Sequence, residues 1–246
     1  MNQNIAFVVI TYKPERKALE TLVRSFSGWP VIVIDNTKNN RGYGGGANVG
    51  IRQVLKNGAE WVVLMNEDLT FTKEAIREFT DILKKSQPAI VGPFAGSLDP
   101  KRWTSILPAK HMDYISGSCI AIHRDVIKQI GTFYEPYFIY YEEVDLCIRT
   151  KRGGFPLRWL PIRGIVHEDA KGFGGGSFLH QYYLSRNHLL FVERQAPLRV
   201  KLYEYVRLPK TIYEHVARRE WGALLGVFHY FIRRFGQFRS CDKIML

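Results

Sequence analysis

The chain predicts an α/β fold: a mostly parallel sheet with helices on both faces. Three observations point there. Apolar runs of strand length recur at Ile5–Thr11, 31–34, 61–65 and 89–91. Segments with apolar residues at helical spacing separate them. Polar residues gather where the runs end, at Thr11, Asp35 and Asn66-Glu67-Asp68. Such β-α-β alternation favours parallel strands, because each crossover helix covers a face of the sheet. Ligands of these sheets bind beyond the carboxyl ends of the strands.

The elements follow in order. Ile5–Thr11 reads as a buried strand, and Pro14 stands where the next helix begins. Leu19, Leu22, Val23 and Phe26 give residues 15–26 a helical stripe. The second strand ends at Asp35. Gly42-Tyr43-Gly44-Gly45-Gly46-Ala47-Asn48 then reads as a polar, glycine-rich loop feeding a helix over 47–55. The third strand, 61–65, leads into Asn66-Glu67-Asp68, followed by a helix over 73–84 and a strand over 89–91. Pro93, Gly96, Pro100 and Pro108 make residues 92–112 an irregular excursion. A strand over 114–122 is broken by Ser116-Gly117-Ser118, and Arg124–Ile130 is a short helix. Residues 144–151 predict a helix and 157–160 a last strand leading to His167. Gly172 to Gly176 is flexible by composition, and amphipathic helices run from Gln181 to the end. The expected division is an α/β unit over residues 1–193 and a basic helical region over 194–246.

At 246 residues the chain can bury one good core. Cys119, Cys147 and Cys241 form no C-x-x-C pair, which excludes a structural zinc motif and suits a reducing compartment. Ile5–Ile10 follows no basic n-region and reads as a strand, not a signal peptide. The run from Trp221 to Ile232 falls short of the about 20 residues that cross a bilayer. The net charge of +12 is uneven: from Arg194 onward eleven Lys/Arg face four acids.

Candidate chemistry sits in four places. Glu142, Glu143 and Asp145 follow the aromatic run Phe138-Ile139-Tyr140-Tyr141. Crowded acids beside a dry wall have raised pKa values, as a general base requires, although acids also suit the first turn of any helix. The glycines from Gly42 would let backbone amides approach an anion, but lack the spacing of a dinucleotide fingerprint or a P-loop. Asn66-Glu67-Asp68 could hold a divalent cation on a diphosphate, or cap the next helix. His167 could complete such a site only if the fold brought it to Asp68; a lone histidine is more often structural.

Thr11-Tyr12, Asp35, Gly42 to Asn48, Asn66-x-Asp68, Gly117-Ser118, the run Tyr141-Glu142-Glu143-Val144-Asp145-Leu146-Cys147-Ile148-Arg149 and His167 occur in this order. Together they resemble the inverting family 2 glycosyltransferases of GT-A fold, a Rossmann-like nucleotide-diphospho-sugar transferase, and in particular the bacterial rhamnosyltransferase-like branch. The resemblance covers residues 5–190. It implies that Thr11, Tyr12 and Asp35 contact the nucleotide, and that Gly42, Gly44, Gly45 and Asn48 lie along nucleotide and diphosphate with Asn66 and Glu67. It further implies Asp68 and His167 as ligands of Mg2+ or Mn2+, Gly117 and Ser118 on the acceptor side, and Glu143 or Glu142 as catalytic base. Two residues depart from the family pattern. Glu143 stands where the family usually has aspartate, which leaves Glu142 open as the base. Asn66 replaces a first aspartate, so a metal would find fewer charges.

The implied activity is base-assisted transfer of a sugar from a nucleotide-diphosphate donor to a hydroxyl of a saccharide, in cell-surface polysaccharide synthesis. The basic, aromatic residues from Arg199 to Arg239 suit an anionic membrane surface, hence a lipid-linked acceptor and a place at the inner face of the cell membrane. The alternative for that region is packing of its aromatics on the α/β unit. No nucleic-acid module is present. A nucleotidyltransferase is disfavoured, since no glycine- and lysine-rich activating motif follows the first strand. A degenerate nucleotide-sugar-binding or scaffold subunit is the non-enzyme alternative.

Overall fold

The computed structural model describes residues 4–106, 109, 111–167 and 176–239. Its strands are β1 (Ile5–Thr11), β2 (Val31–Asp35), β3 (Trp61–Asn66), β4 (Leu69–Phe71), β5 (Ile90–Gly92), β6 (Ala95–Leu98), β7 (Ser105–Ile106), β8 (Tyr114–Ile115), β9 (Cys119–His123), β10 (Leu157–Trp159) and β11 (Ile165–His167). Its helices are α1 (Arg16–Ser25), α2 (Gly42–Lys56), α3 (Lys73–Lys85), α4 (Arg124–Ile130), α5 (Glu142–Arg152), α6 (Phe178–Gln195), α7 (Leu198–Ala217) and α8 (Trp221–Phe231).

Six strands form the central sheet in the order β10-β5-β9-β3-β1-β2. β1 pairs parallel with β2 and β3, and β10 parallel with β5. β9 runs antiparallel between β3 and β5, so the sheet is mostly, not wholly, parallel. Strand alternation divides the core. Ala6, Val8 and Ile10 of β1 pack with Ala47, Ile51 and Val54 of α2 and with α5. Ile5, Phe7 and Val9 face Leu22 of α1 and Ile76, Phe79 and Leu83 of α3. Among the described residues of 92–112, β6 and β7 are strands, and with β8 they form a small antiparallel sheet, β7-β6-β8.

One expectation needs correction. The helix expected at 47–55 begins at Gly42, so the glycines are helix, not loop. Helical glycine costs about 1 kcal/mol each relative to alanine, and close packing is what repays it here. A side chain on Gly50 would strike Val8, one on Gly46 the Asn36 amide, and one on Gly42 the Phe138 carbonyl. The boundary expected after residue 193 falls inside α6. α8 lies directly on α6, because Gly222 and Gly226 let its backbone approach the carbonyls of Phe178 and Tyr182. The glycine-rich stretch at 172–175 lies outside the described residues.

Asp145 has the structural role its spacing to Arg149 suggests. It is fully buried and accepts hydrogen bonds from Arg149 Nε (2.7 Å), Arg194 Nε (3.2 Å), Gln195 Nε2 (2.7 Å) and the Tyr137 hydroxyl (3.3 Å). It thus ties α5 to α6. Removing one partner of a buried ion pair costs about 3–5 kcal/mol, so Asp145→Ala should lower the melting temperature by about 10 °C. A calorimetric scan matching the wild type would contradict this role.

Candidate active site

The strand ends converge as the alternation requires. Thr11 is paired with Asp35, and Ile10 with Asn66, so three expected residues share one edge of the sheet. They differ in access. Thr11 is 1% exposed, whereas the Tyr12 ring is 46% exposed, so Tyr12 is the member of this pair open to a ligand. The Asp35 carboxylate accepts from the Thr37 amide at 2.7 Å, and its hydrogen bonding to Thr37 holds its pKa below the ordinary value. Glu67 accepts from the Tyr12 amide at 3.3 Å. Burial pushes its carboxyl up to about 7, with Asp68 and Asp35 adding repulsion against the lowering effect of that amide.

β4 and β11 supply the link that spacing alone could not. They pair antiparallel with His167 opposite Leu69, and this places His167 Nε2 3.1 Å from Asp68 Oδ1. Among the described residues no group of three or more His, Cys, Asp or Glu could hold a metal. One carboxylate and one imidazole therefore fit a cation such as Mg2+ or Mn2+ that takes its remaining ligands from phosphate and water.

The glycine helix packs against the segment that precedes α5. The Gly42 amide donates to Asn40 Oδ1 (2.9 Å) and the Tyr43 amide to the Phe138 carbonyl (2.8 Å), so these first amides form no open anion cradle. Gly44 is buried where a Cβ would meet Phe133 at 3.3 Å and Glu142 at 3.6 Å, and Gly45 is pressed against Arg41. Asn48 Nδ2 donates to the Phe133 carbonyl and to Glu135, both at 2.9 Å, while its Oδ1 accepts from the Phe133 amide at 3.0 Å. Both amide hydrogens are spent. Gly42, Gly44, Gly45 and Asn48 thus seat the segment before α5.

That segment is unusual. Phe138, Tyr140 and Tyr141 have φ of 69°, 68° and 75°, conformations that cost non-glycine residues about 1–3 kcal/mol each. Asn187 Nδ2 donates to the carbonyls of Tyr137 (2.8 Å), Ile139 (2.7 Å) and Tyr140 (3.1 Å). Arg186, 1% exposed, donates to the carbonyls of Tyr137 (2.8 Å) and Gly236 (2.8 Å). The expected site residues include neither. Their signal was available: Arg186-Asn187-His188 interrupts an apolar helix, and polar residues on a buried face need partners.

The turn delivers two adjacent glutamates into different surroundings. Glu142 is 4% exposed, and its Oε2 has no hydrogen-bond partner among the described residues. Burial and the neighbouring Glu143 raise its pKa well above the ordinary value. Glu143 is half-buried, and burial pushes its carboxyl up to about 7 against stabilising backbone amides. A Cβ on Gly117 would lie 3.5 Å from that of Glu143. The Tyr43 hydroxyl donates to the Gly117 carbonyl, and burial with Glu142 and Glu143 raises its pKa well above the ordinary value, so it stays a donor. The Asn66 amide donates to the Ser118 carbonyl at 2.9 Å, joining this turn to the strand end that carries Asp68.

The same arrangement has relatives. Residues 13–131 match the family model "Glycosyl transferase family 2". The chain is 27% identical to the low-salt glycan biosynthesis hexosyltransferase Agl10 of Haloferax volcanii, covering 77% of this chain and 76% of that protein. It is 25% identical to the dTDP-rhamnosyl transferase RfbF of Shigella flexneri, covering 84% and 86%. An N-acetylglucosaminyl-diphospho-decaprenol L-rhamnosyltransferase of Mycobacterium tuberculosis is 28% identical over 40% of this chain and 33% of its own length. Among solved structures, S. aureus TarS 1-349 in complex with UDP-GlcNAc superposes with a TM-score of 0.54 at 13% identity, over 92% of this chain and 81% of that one. With this fold and these relatives, residues 13–131 carry a glycosyltransferase family 2 domain, set in a GT-A fold.

Proposed function

We propose that the chain transfers a sugar, with inversion, from a nucleotide-diphosphate donor to a hydroxyl of a lipid-linked saccharide. The observation that carries this reading is the placing of Glu142 and Glu143: one carboxyl buried with no partner for its Oε2 among the described residues, its neighbour half-buried beside Gly117, and burial raising the pKa of both. Glu143 takes the acceptor hydroxyl's proton as that oxygen attacks the anomeric carbon. The bond from that carbon to the diphosphate breaks on the opposite side, and the nucleoside diphosphate leaves. Glu142, uncharged, keeps the pair from carrying two charges; Tyr43 and Gly117 hold the wall on which the acceptor lies. Tyr12, Asp35, Asn66 and Glu67 line the donor end of the sheet. Asp68 and His167 would hold a divalent cation, which when bound neutralises charge on the leaving diphosphate. Relatives named as rhamnosyl and hexosyl transferases support the reaction class, and the one named for a diphospho-decaprenol substrate supports the acceptor class. An intact base pair favours the enzyme over a degenerate scaffold.

The tail divides. The α8 residues Leu225, Val227 and Tyr230 are buried, so part of the region packs on the α/β unit. On α7, however, Leu198, Leu202, Val206, Tyr213 and Val216 form an exposed stripe, with Val206 81% exposed. Arg199, Lys210, Arg218 and Arg219 on or beside the same helix are exposed cations. Among the described residues no helix is long and apolar enough to cross a membrane. This stripe docks on an anionic membrane surface, where apolar burial and cation attraction add.

Four outcomes are expected. Glu143→Gln should lower kcat by about 10²–10⁴-fold while nucleotide binding survives, and Glu142→Gln should keep most activity. The base must be ionised, so wild-type kcat/KM should rise with pH through about 7; a profile flat from pH 5.5 to 8.5 in buffered steady-state assays would contradict the assignment. Asp68→Ala should abolish the gain in donor affinity produced by manganese, and a calorimetric titration with that gain intact would remove Asp68 from the metal site. Leu202→Glu/Val206→Glu should lose sedimentation with phosphatidylglycerol vesicles, and unchanged sedimentation would sink the membrane reading.

A further inference from the structure

A second basic site lies beyond the catalytic pair. Between the 92–113 excursion and the last turn of α5 is a cavity of about 360 Å³, lined by Trp103, His111, Asp113, Lys151, Arg152 and Arg199 among others. Asp113 is the acid among those six. It accepts from the Leu98 amide (2.7 Å), stands 2.7 Å from His111 Nε2 and lies 3.9 Å from Lys151 Nζ. Arg152 is fixed by neutral groups, donating to Gln195 Oε1 at 2.7 Å and to the Gln195 carbonyl, so its charge is oriented but not neutralised. Arg199 enters from the first turn of α7. The walls are held firmly: Arg102 Nε reaches Glu204 of α7 at 2.7 Å, and Trp103 packs on Phe191 of α6.

Two rulers relate this cavity to Glu143. Along α5, Glu143 and Lys151 are separated by about 12 Å at 1.5 Å per residue. Along the chain through β8, Gly117 beside Glu143 and Asp113 beside Lys151 are separated by about 13 Å at 3.3 Å per residue. Both agree on a span that one sugar and a diphosphate can bridge. On its other side the cavity meets Arg199, next to Leu198, where the exposed apolar stripe of α7 begins. Guanidinium and ammonium groups are the natural partners of phosphate oxygens.

We propose that this cavity seats the diphosphate of the lipid-linked acceptor, its sugar reaching towards Glu143 and its lipid leaving along α7. The inference rests on the lipid-linked acceptor reading above. Farnesyl diphosphate, with the full chain in EDTA and without donor, is the probe. Lys151→Gln/Arg199→Gln should bind it at least about tenfold more weakly than wild type. The same variant should raise KM for a diphosphate-linked acceptor with little change in kcat, and leave an alkyl glycoside of the same saccharide unaffected. Equal affinity in variant and wild type would overturn the proposal. Inorganic pyrophosphate binding as tightly as farnesyl diphosphate would make this a free-phosphate site and overturn the lipid assignment. Loss of phosphatidylglycerol vesicle binding with probe affinity intact would give these cations to the bilayer instead. Wild-type transfer to the alkyl glycoside but never to a diphosphate-linked acceptor would overturn the acceptor reading, and this assignment with it, even with the probe bound.

Discussion

The site depends on one backbone constraint: the left-handed turn from Phe138 to Tyr141 that begins α5. No L-residue adopts three such φ values within four positions unless neighbours impose them. Here Asn187 and Arg186 reach from α6 to the turn's carbonyls, and the Tyr43 amide reaches from α2 to Phe138. Hydrogen bonds from charged donors contribute about 1.5–3 kcal/mol, the same order as the strain they hold. Gly42 has no side chain because the Phe138 carbonyl occupies its place. The glycine helix and the polar patch on α6 are thus two halves of one clamp.

The clamp explains how two adjacent glutamates acquire different chemistry. A sharp turn into a helix points Glu142 inward against Gly44 and leaves Glu143 beside Gly117. Neighbouring carboxyls that both face a dry wall cannot both ionise near neutrality. The one with better access to solvent and backbone amides, Glu143, ionises first. The extra methylene of Glu143 relative to an aspartate is accommodated by this geometry, since the half-buried side chain lies against a glycine.

Most of the fold could be read from the sequence, and the reasons are local. The strands β1, β2 and β3 declared themselves by continuous apolar runs, and α3 lies where the sequence predicts a helix over 73–84. Asp35 and Asn66 could be assigned to one edge because parallel strands share their carboxyl ends. What resisted reading was tertiary. Glycine composition predicts a loop, yet Gly42, Gly44, Gly45 and Gly46 are helical and crowded by Phe138, Phe133, Arg41 and Asn36 in turn. The approach of His167 to Asp68 depends on pairing between β4 and β11, two strands of three residues each, too short to announce a partner. Nor could the sequence divide the basic tail into a packed α8 and an exposed α7, because both carry aromatics at helical spacing.

The proposed donor end, base and acceptor cavity lie in series along α5 and the strands beside it, so the proposed mechanism turns on the electrostatics of the glutamate pair. The most direct test is a carboxyl titration by nuclear magnetic resonance on protein carrying [δ-13C]glutamate, with Glu142→Gln and Glu143→Gln used to assign the two resonances. The account predicts that the Glu143 signal titrates with a midpoint near 7 while the Glu142 signal stays that of a protonated acid through the same range. Both signals titrating near the ordinary glutamate value of about 4.3 would contradict it.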